Sequence, residues 1–262
     1  MIKVKDIIGA LEKKYPKINA ESWDNVGLIV GKLNQEVKKV QFSLDATDRA
    51  IENAIKNSVD LIITHHPMIF KPVKSVTTMD NLGRKIIKLI ENNKSLYVMH
   101  TNLDASKDGL NDYILNLLEV ENSKIIDVNE FDNEVGIGRL YTISKEMNIN
   151  IDEYANFIKE KLKIKNIRII SEDREKKVKK VALINGSGMS YWRKVKSLGA
   201  DLFITGDIGY HDALDAKEAG INVFDIGHFE SENCFVELLR KDIEGMGIEI
   251  ITFNDGPIFE IY

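Results

Sequence analysis

Cysteine is almost absent: Cys234 stands alone in 262 residues, so no disulfide can close within the chain. A reducing compartment is the natural setting, and with no catalytic-cysteine signature around it the thiol reads as a buried apolar group. Long apolar runs are missing too. Met1-Ile2-Lys3-Val4-Lys5-Asp6 lacks the apolar core of a signal peptide, and no uninterrupted apolar stretch approaches membrane-spanning length. Nor is there an excess of positive charge. The formal net charge is -5, which offers no global basic field to nucleic acid or to an anionic membrane. The basic runs from Lys159 to Lys165 and from Arg174 to Lys180 carry interspersed acids and read as solvated faces. These absences predict a soluble, cytoplasmic protein without a membrane or nucleic-acid partner.

What is present is the composition of a globular chain, 44% hydrophobic and 29% charged, long enough to bury one large core or two modest ones. Val4, Ile7, Ile8 and Leu11 recur at helical spacing and predict a first helix ending near Tyr15-Pro16. A polar turn, Glu21-Ser22-Trp23-Asp24-Asn25, leads to a strand at Leu28-Ile29-Val30. Strand Val40 to Leu44 meets a helix around Ala50 to Lys56 through the cap-like Asp45-Ala46-Thr47-Asp48. A strand at Leu61-Ile62-Ile63-Thr64, a helix from about Asp80 to Glu91 and a strand from Leu96 to Met99 continue a βαβ rhythm. That rhythm implies a largely parallel sheet covered by helices.

Near Asp127 the character changes to a glycine-interrupted strand, Val135 to Ile143, with a helix around Asp152 to Leu162. The second half then repeats the first. Lys38-Lys39-Val40 matches Lys179-Lys180-Val181, and Asp60-Leu61-Ile62-Ile63-Thr64 matches Asp201-Leu202-Phe203-Ile204-Thr205, both offset by 141 (181 − 40 and 201 − 60). The expected fold class is therefore α/β, with two duplicated domains of mixed or parallel sheets flanked by helices. The expected boundaries are 1–127 plus 228–262 for a metal-binding domain and 128–227 for the other.

The chemistry sits at strand ends. The buried run Leu61 to Thr64 stops at His65-His66-Pro67, where Pro67 bars a helix and fixes the exit of the chain. Neighbours on a regular strand point to opposite faces, so one ion takes both rings only if the chain turns there; otherwise each ring serves a different ion. The matching corner in the second half is Gly206-Asp207, so the chemistry is asymmetric. His228 and Glu232, four apart at a predicted helix start, share one face. With Asp104 after the Leu96 strand, His65, His66, His228 and Glu232 make five nitrogen and oxygen ligands without a thiolate. Such a set suits Zn, Mn, Fe, Co or Ni, and five ligands suit two ions sharing a carboxylate.

Three features stay open at this level. His100, four residues before Asp104, reads as a supporting or structural group rather than a sixth ligand. His211 could face a cavity as a proton-transfer group or pack at a helix start. Asn185-Gly186-Ser187-Gly188 could cradle a phosphate or form an empty tight turn.

Taken in order, Glu21-Ser22-Trp23-Asp24-Asn25-Val26-Gly27-Leu28, Thr64-His65-His66-Pro67, His100-Thr101-Asn102-Leu103-Asp104, Thr205-Gly206-Asp207 and Gly227-His228-Phe229-Glu230-Ser231-Glu232 resemble the Ngg1-interacting-factor-3-like family. The resemblance spans nearly the whole chain. Its members are commonly named GTP cyclohydrolase 1 type 2 homologues. The resemblance implies two interlocked α/β domains, a dinuclear metal centre in the cleft between them and a toroidal homohexamer. Carried over by motif, the ligands are His65, His66, Asp104, His228 and Glu232. The chain looks like the compact form, without the domain that longer members insert. The expectation is a hydrolase with two divalent ions, acting on a small molecule such as a nucleotide, with His211 or His100 as proton shuttles. A metal-binding adaptor or scaffold is the rival.

Overall fold

The computed structural model of the protein describes residues 1–144 and 146–260. Its elements run α1 (Val4–Lys14), β1 (Gly27–Val30), β2 (Lys39–Ser43), α2 (Asp48–Lys56), β3 (Leu61–Thr64), α3 (Asn81–Glu91), β4 (Ser95–Val98) and the short α4 (Thr101–Ala105). There follow α5 (Leu110–Leu117), β5 (Ser123–Val128), β6 (Gly136–Thr142), α6 (Ile151–Leu162), β7 (Arg168–Ile170) and β8 (Lys180–Leu183). Then come α7 (Trp192–Ser197), β9 (Leu202–Thr205), α8 (Tyr210–Glu218), β10 (Asn222–Asp225), the short α9 (His228–Glu232), α10 (Phe235–Ile243) and β11 (Glu249–Thr252). Among the described residues no helix is long and apolar enough to cross a membrane.

The chain forms two α/β units, 1–106 with 235–262, and 107–234. In the first unit the sheet order is β1-β4-β3-β2-β11, with β4, β3, β2 and β11 parallel and β1 an antiparallel edge. In the second it is β5-β6-β8-β9-β10-β7, with β8, β9 and β10 parallel and the flanking pairs antiparallel. The central strands are buried throughout (β3, β4, β9, β10), which is why their middle residues are apolar on both faces rather than alternating. On the first sheet, α2 lays Ile51 and Ala54 against Ile62, Val59, Leu89 and Leu96. Each large aliphatic side chain so buried contributes roughly 1.5–3 kcal/mol. Within the cap-like stretch Asp45-Ala46-Thr47-Asp48, Thr47 caps α2 by accepting from Ala50 N at 3.0 Å.

The internal repeat has a structural cause. In the first half the Asp60 carboxylate accepts from the backbone N–H groups of Lys38 and Lys39 at 2.8 and 3.0 Å. In the second half Asp201 does the same to Lys179 and Lys180 at 3.2 and 3.0 Å. Each carboxylate pins the start of one strand to the start of the next, so the matching letters mark a shared device. β1 and β7 also keep the offset (168 − 27 = 141), and the antiparallel edge, β4 or β10, β3 or β9, and β2 or β8 stand in the same order. Past β3 the offset falls to 127 (222 − 95), and the short helices keep it (228 − 101). Of the 14 positions lost (141 − 127), 12 come from the connection after β3 and β9 and two from α3 being longer than α8. Residues 65–80 join β3 to α3, whereas only 206–209 join β9 to α8.

The units depart from the expected boundaries of 127 and 228 because each half gives its last elements to the other unit. β5 pairs with β6 over five positions from Ser123↔Tyr141 to Val128↔Gly136, which carries residues 107–127 into the second unit. β11 pairs with β2, and Asp242 of α10 accepts from the Tyr15 hydroxyl at 3.0 Å, which returns 235–262 to the first. Residues 228–234, with α9, lie in the second unit. Cys234 is half-buried rather than fully buried, with its Sγ 3.7 Å from Ser231 O, because it lies at the junction between α9 and α10.

Candidate metal centre

In the first unit β3 delivers His65 and His66 to the carboxyl edge of the sheet, and β4 delivers His100 and α4. The chain does turn after Thr64, whose hydroxyl donates to His66 O at 3.0 Å. The rings of His65 and His66 therefore lie side by side, centroids 5.2 Å apart. One ligand atom each from His65, His66 and His100 falls within 4.8 Å of the others. Asp104 on α4 brings Oδ1 to 3.6 Å from His65 Nε2.

In the second unit the one-turn α9 holds the other two expected ligands. His228 Nε2 and Glu232 Oε2 are 2.9 Å apart across one helical turn, and Glu232 is buried. Asn185 Nδ2 donates to Glu232 Oε1 at 3.0 Å. The Asn185-to-Gly188 loop spends its backbone donors internally: Gly186 N on Ser231 Oγ at 2.9 Å and Gly188 N on Thr205 Oγ1 at 2.9 Å. With the N–H groups of both glycines engaged in this way, the loop places Glu232 and α9.

Four of the five histidines share one arrangement. An oxygen acceptor engages Nδ1 in each: Met99 O for His65 at 2.7 Å, Asp45 Oδ1 for His66 at 3.0 Å, Asp24 Oδ1 for His100 at 2.9 Å and Asp207 Oδ2 for His228 at 2.6 Å. The tautomer that satisfies all four carries its proton on Nδ1 and leaves Nε2 as a lone-pair donor, the form a metal-binding imidazole takes. A neutral Nε2 facing a carboxylate oxygen, as in His228–Glu232, repels it unless a proton or a cation lies between. The donor set of imidazole nitrogens and carboxylates thus fits a borderline divalent ion. His211 differs. It is exposed in the first turn of α8, edge-on to Tyr210 with ring centroids 5.4 Å apart, and lies outside these groups.

Asp24 and Asp207 lie inside motifs of the family resemblance, but nothing local in the sequence marks them, or Asp45, as groups that support an imidazole. Asp24 and Asp45 look like turn residues. Asp207 occupies the position that His66 holds in the first half (207 − 66 = 141) and supports an imidazole there instead of supplying one. It does so from a left-handed backbone, φ 53°.

A family model described as Duf34/NIF3 (NGG1p interacting factor 3) matches residues 2–256. The chain belongs to the Duf34/NIF3 family. A relative in Clostridium perfringens, named GTP cyclohydrolase 1 type 2 homolog, is 44% identical over 88% of this chain and 87% of its own length. Among solved structures, reduced HcgD from Methanocaldococcus jannaschii matches with a TM-score of 0.83 at 32% identity, covering 96% of this chain and 97% of that one. The Bacillus cereus protein related to NIF3 matches with a TM-score of 0.88 at 22% identity, over 100% of this chain and 99% of that one, which supports the fold.

Two properties of this Duf34/NIF3 protein follow from the supporting residues. Burial alone would raise the Asp24 pKa, but His100 and the hydroxyl and N–H of Thr101 outweigh it and bring it from 3.8 to about 2. A carboxyl depressed on folding adds stability above its unfolded pKa and loses it as pH falls toward the folded value. Wild type should therefore lose its stability advantage over Asp24→Asn between about pH 4 and about pH 2. Paired urea titrations across that window, in chelator, measure it; a constant gap would mean that Asp24 is not coupled to folding.

Gly186 has φ 59°, and a Cβ there would stand 2.1 Å from Glu232 Oε1. Gly186→Ala should displace that carboxylate and weaken divalent-ion binding by about 10–100-fold, the usual loss when a ligand's support is removed. Gly199→Ala is the control, since φ is 72° but nothing lies within 4 Å. It should cost stability without moving metal affinity in a chelator-competition titration.

Proposed function

We propose that this protein is a metal-dependent hydrolase acting on a nucleotide, with two divalent ions held by His65, His66, Asp104, His228 and Glu232. The reaction class we assign is hydrolytic opening of the guanine imidazole ring of GTP with release of formate, and the working assembly is a homohexamer. The observation that carries the metal part is the pairing of Nδ1 with an oxygen at His65, His66, His100 and His228. The substrate rests on the name shared by the relatives, and the assembly on the family resemblance. Zn, Fe, Mn, Co and Ni all suit the donor set.

When bound, such ions would polarise the substrate and make water acidic enough to act as a nucleophile near neutral pH. The protein's own groups do the rest. Met99 O, Asp45 and Asp207 fix the ring orientations of His65, His66 and His228. Asn185 orients Glu232. His100, its Nδ1 held by Asp24, would hold or pass a proton at Nε2; the exposed position of His211 beside Tyr210 gives it no such role.

The test is to load the purified protein with each metal in turn and incubate it with GTP, other nucleotides and phosphoesters, reading products by mass spectrometry. Formate and a ring-opened product that vanish with chelator are expected. Retained ions with no product across the panel would replace the hydrolase by a metal-binding scaffold, the role that the family's interaction-based name suggests.

A further inference from the structure

Two large aromatic rings lie open to solvent beside the imidazoles of the first unit. Trp23, in the polar turn before β1, is 56% exposed, and Phe70, in the long connection after β3, is 50% exposed. Their ring centroids are 5.8 Å apart with the planes tilted by 53°. Trp23 meets His100 edge-on at 6.2 Å, and His100 lies 5.2 Å from His65. The aromatic wall therefore meets the metal-capable cluster directly, at His100. It is also held in place: Asn25 Nδ2 donates to Ile69 O at 2.6 Å, tying the turn to the connection, while Asp24 joins the turn to His100 and Thr101.

The second half supplies the control. At the same offset, Ile164 stands where Trp23 does (164 − 23 = 141) and is buried. The short connection 206–209 has no counterpart to Phe70. The matching positions of the second half thus lack both the exposed ring and the extra connection; the exposed rings there, Phe131 and Tyr210, fall outside the offset match. Two large rings exposed side by side form a contiguous apolar patch of the kind that marks an interaction site, and their π-faces suit a flat aromatic ligand.

We propose that Trp23 and Phe70 form a stacking platform that binds the fused heteroaromatic ring of a purine nucleotide and sets it beside His100. The choice of a purine and the role as substrate platform rest on the hydrolase reading above; the exposure and pairing of the two rings do not. Stacking reads the π-face and not the phosphates, so the purine ring, and not the phosphate chain, should govern affinity at this wall.

The protein offers its own probe, because its two tryptophans differ: Trp23 is half exposed and Trp192 is buried. Trp23 fluorescence is followed in metal-loaded and chelator-treated protein, with Trp192→Phe isolating the signal, while guanosine, GTP or inorganic tripolyphosphate is added. Metal content and assembly mass are recorded on the same samples. Saturable quenching by guanosine and GTP but not by tripolyphosphate is expected. Phe70→Ala should weaken it by roughly ten-fold or more without loss of metal. Quenching that no purine produces, or that tripolyphosphate matches, overturns the platform. So does a smaller assembly mass in Phe70→Ala, which would make the wall a contact between copies. Purine binding that persists in a protein unable to retain metal would sink the hydrolase reading and leave the platform standing.

Discussion

Replacing both His65 and His66 with alanine is expected to abolish divalent-metal content, and replacing His66 alone to lower affinity by more than about 100-fold. That exceeds the 10–100-fold typical for losing a group that merely supports a ligand. His66 is the cleaner single site. It is only partly buried, whereas His65 is fully buried with Met99 O against its Nδ1. Removing the His65 ring therefore leaves a cavity and a buried carbonyl without its donor, each carrying its own stability cost. His66→Ala leaves Asp45 in contact with water, and the fold should survive. Asp45→Asn should fall in the supporting range, since it alters only the group at Nδ1. Elemental analysis of dialysed protein and titration against a competing chelator separate the three variants. Two ions retained per chain in the double variant would end the assignment of His65 and His66.

The contrast between the proposed ligands and their supports also explains which residues sequence could single out as candidates. His65 and His66 are legible because a buried strand announces its own end and imidazoles are uncommon there. His228 and Glu232 are legible because α9 converts a four-residue spacing into one face, and it runs only from His228 to Glu232. The repeat is legible because Asp60 and Asp201 each serve two backbone donors whose lysines sit at fixed spacing upstream.

The supports are not legible. Asp24 reaches His100 across 76 residues, and Asp45 and Asp207 reach their histidines across 21. Locally each is an aspartate in a turn, the commonest place for one. The unit boundaries fail for a related reason. Nothing local in Leu110 to Val128 states that β5 pairs with β6 rather than with the sheet it follows, because that choice lies in long-range pairing.

The same exchange is held by a buried ion pair whose disruption should cost several kcal/mol. Arg139 on β6 is only 3% exposed. Its Nε and Nη2 donate to both oxygens of Asp112 in the first turn of α5, and its Nη1 donates to the carbonyls of Gly136 and Gly138 at 2.8 and 3.0 Å. Asp112 also accepts from Asp108 N at 2.8 Å, at the start of the helix that the first half gives to the second unit. Asp112→Ala strands a guanidinium in the interior and should destabilise the second unit by about 3–5 kcal/mol. Asp112→Ala combined with Arg139→Met removes the stranded charge and should recover part of that loss. The exposed pair Arg174–Asp152 is the counterexample: Arg174→Ala should cost no more than about 1 kcal/mol, because water screens both partners. Urea unfolding of the three variants decides it. A cost for Asp112→Ala as small as that for Arg174→Ala would mean that solvent reaches Arg139, and that α5 is held to β6 by its apolar face alone.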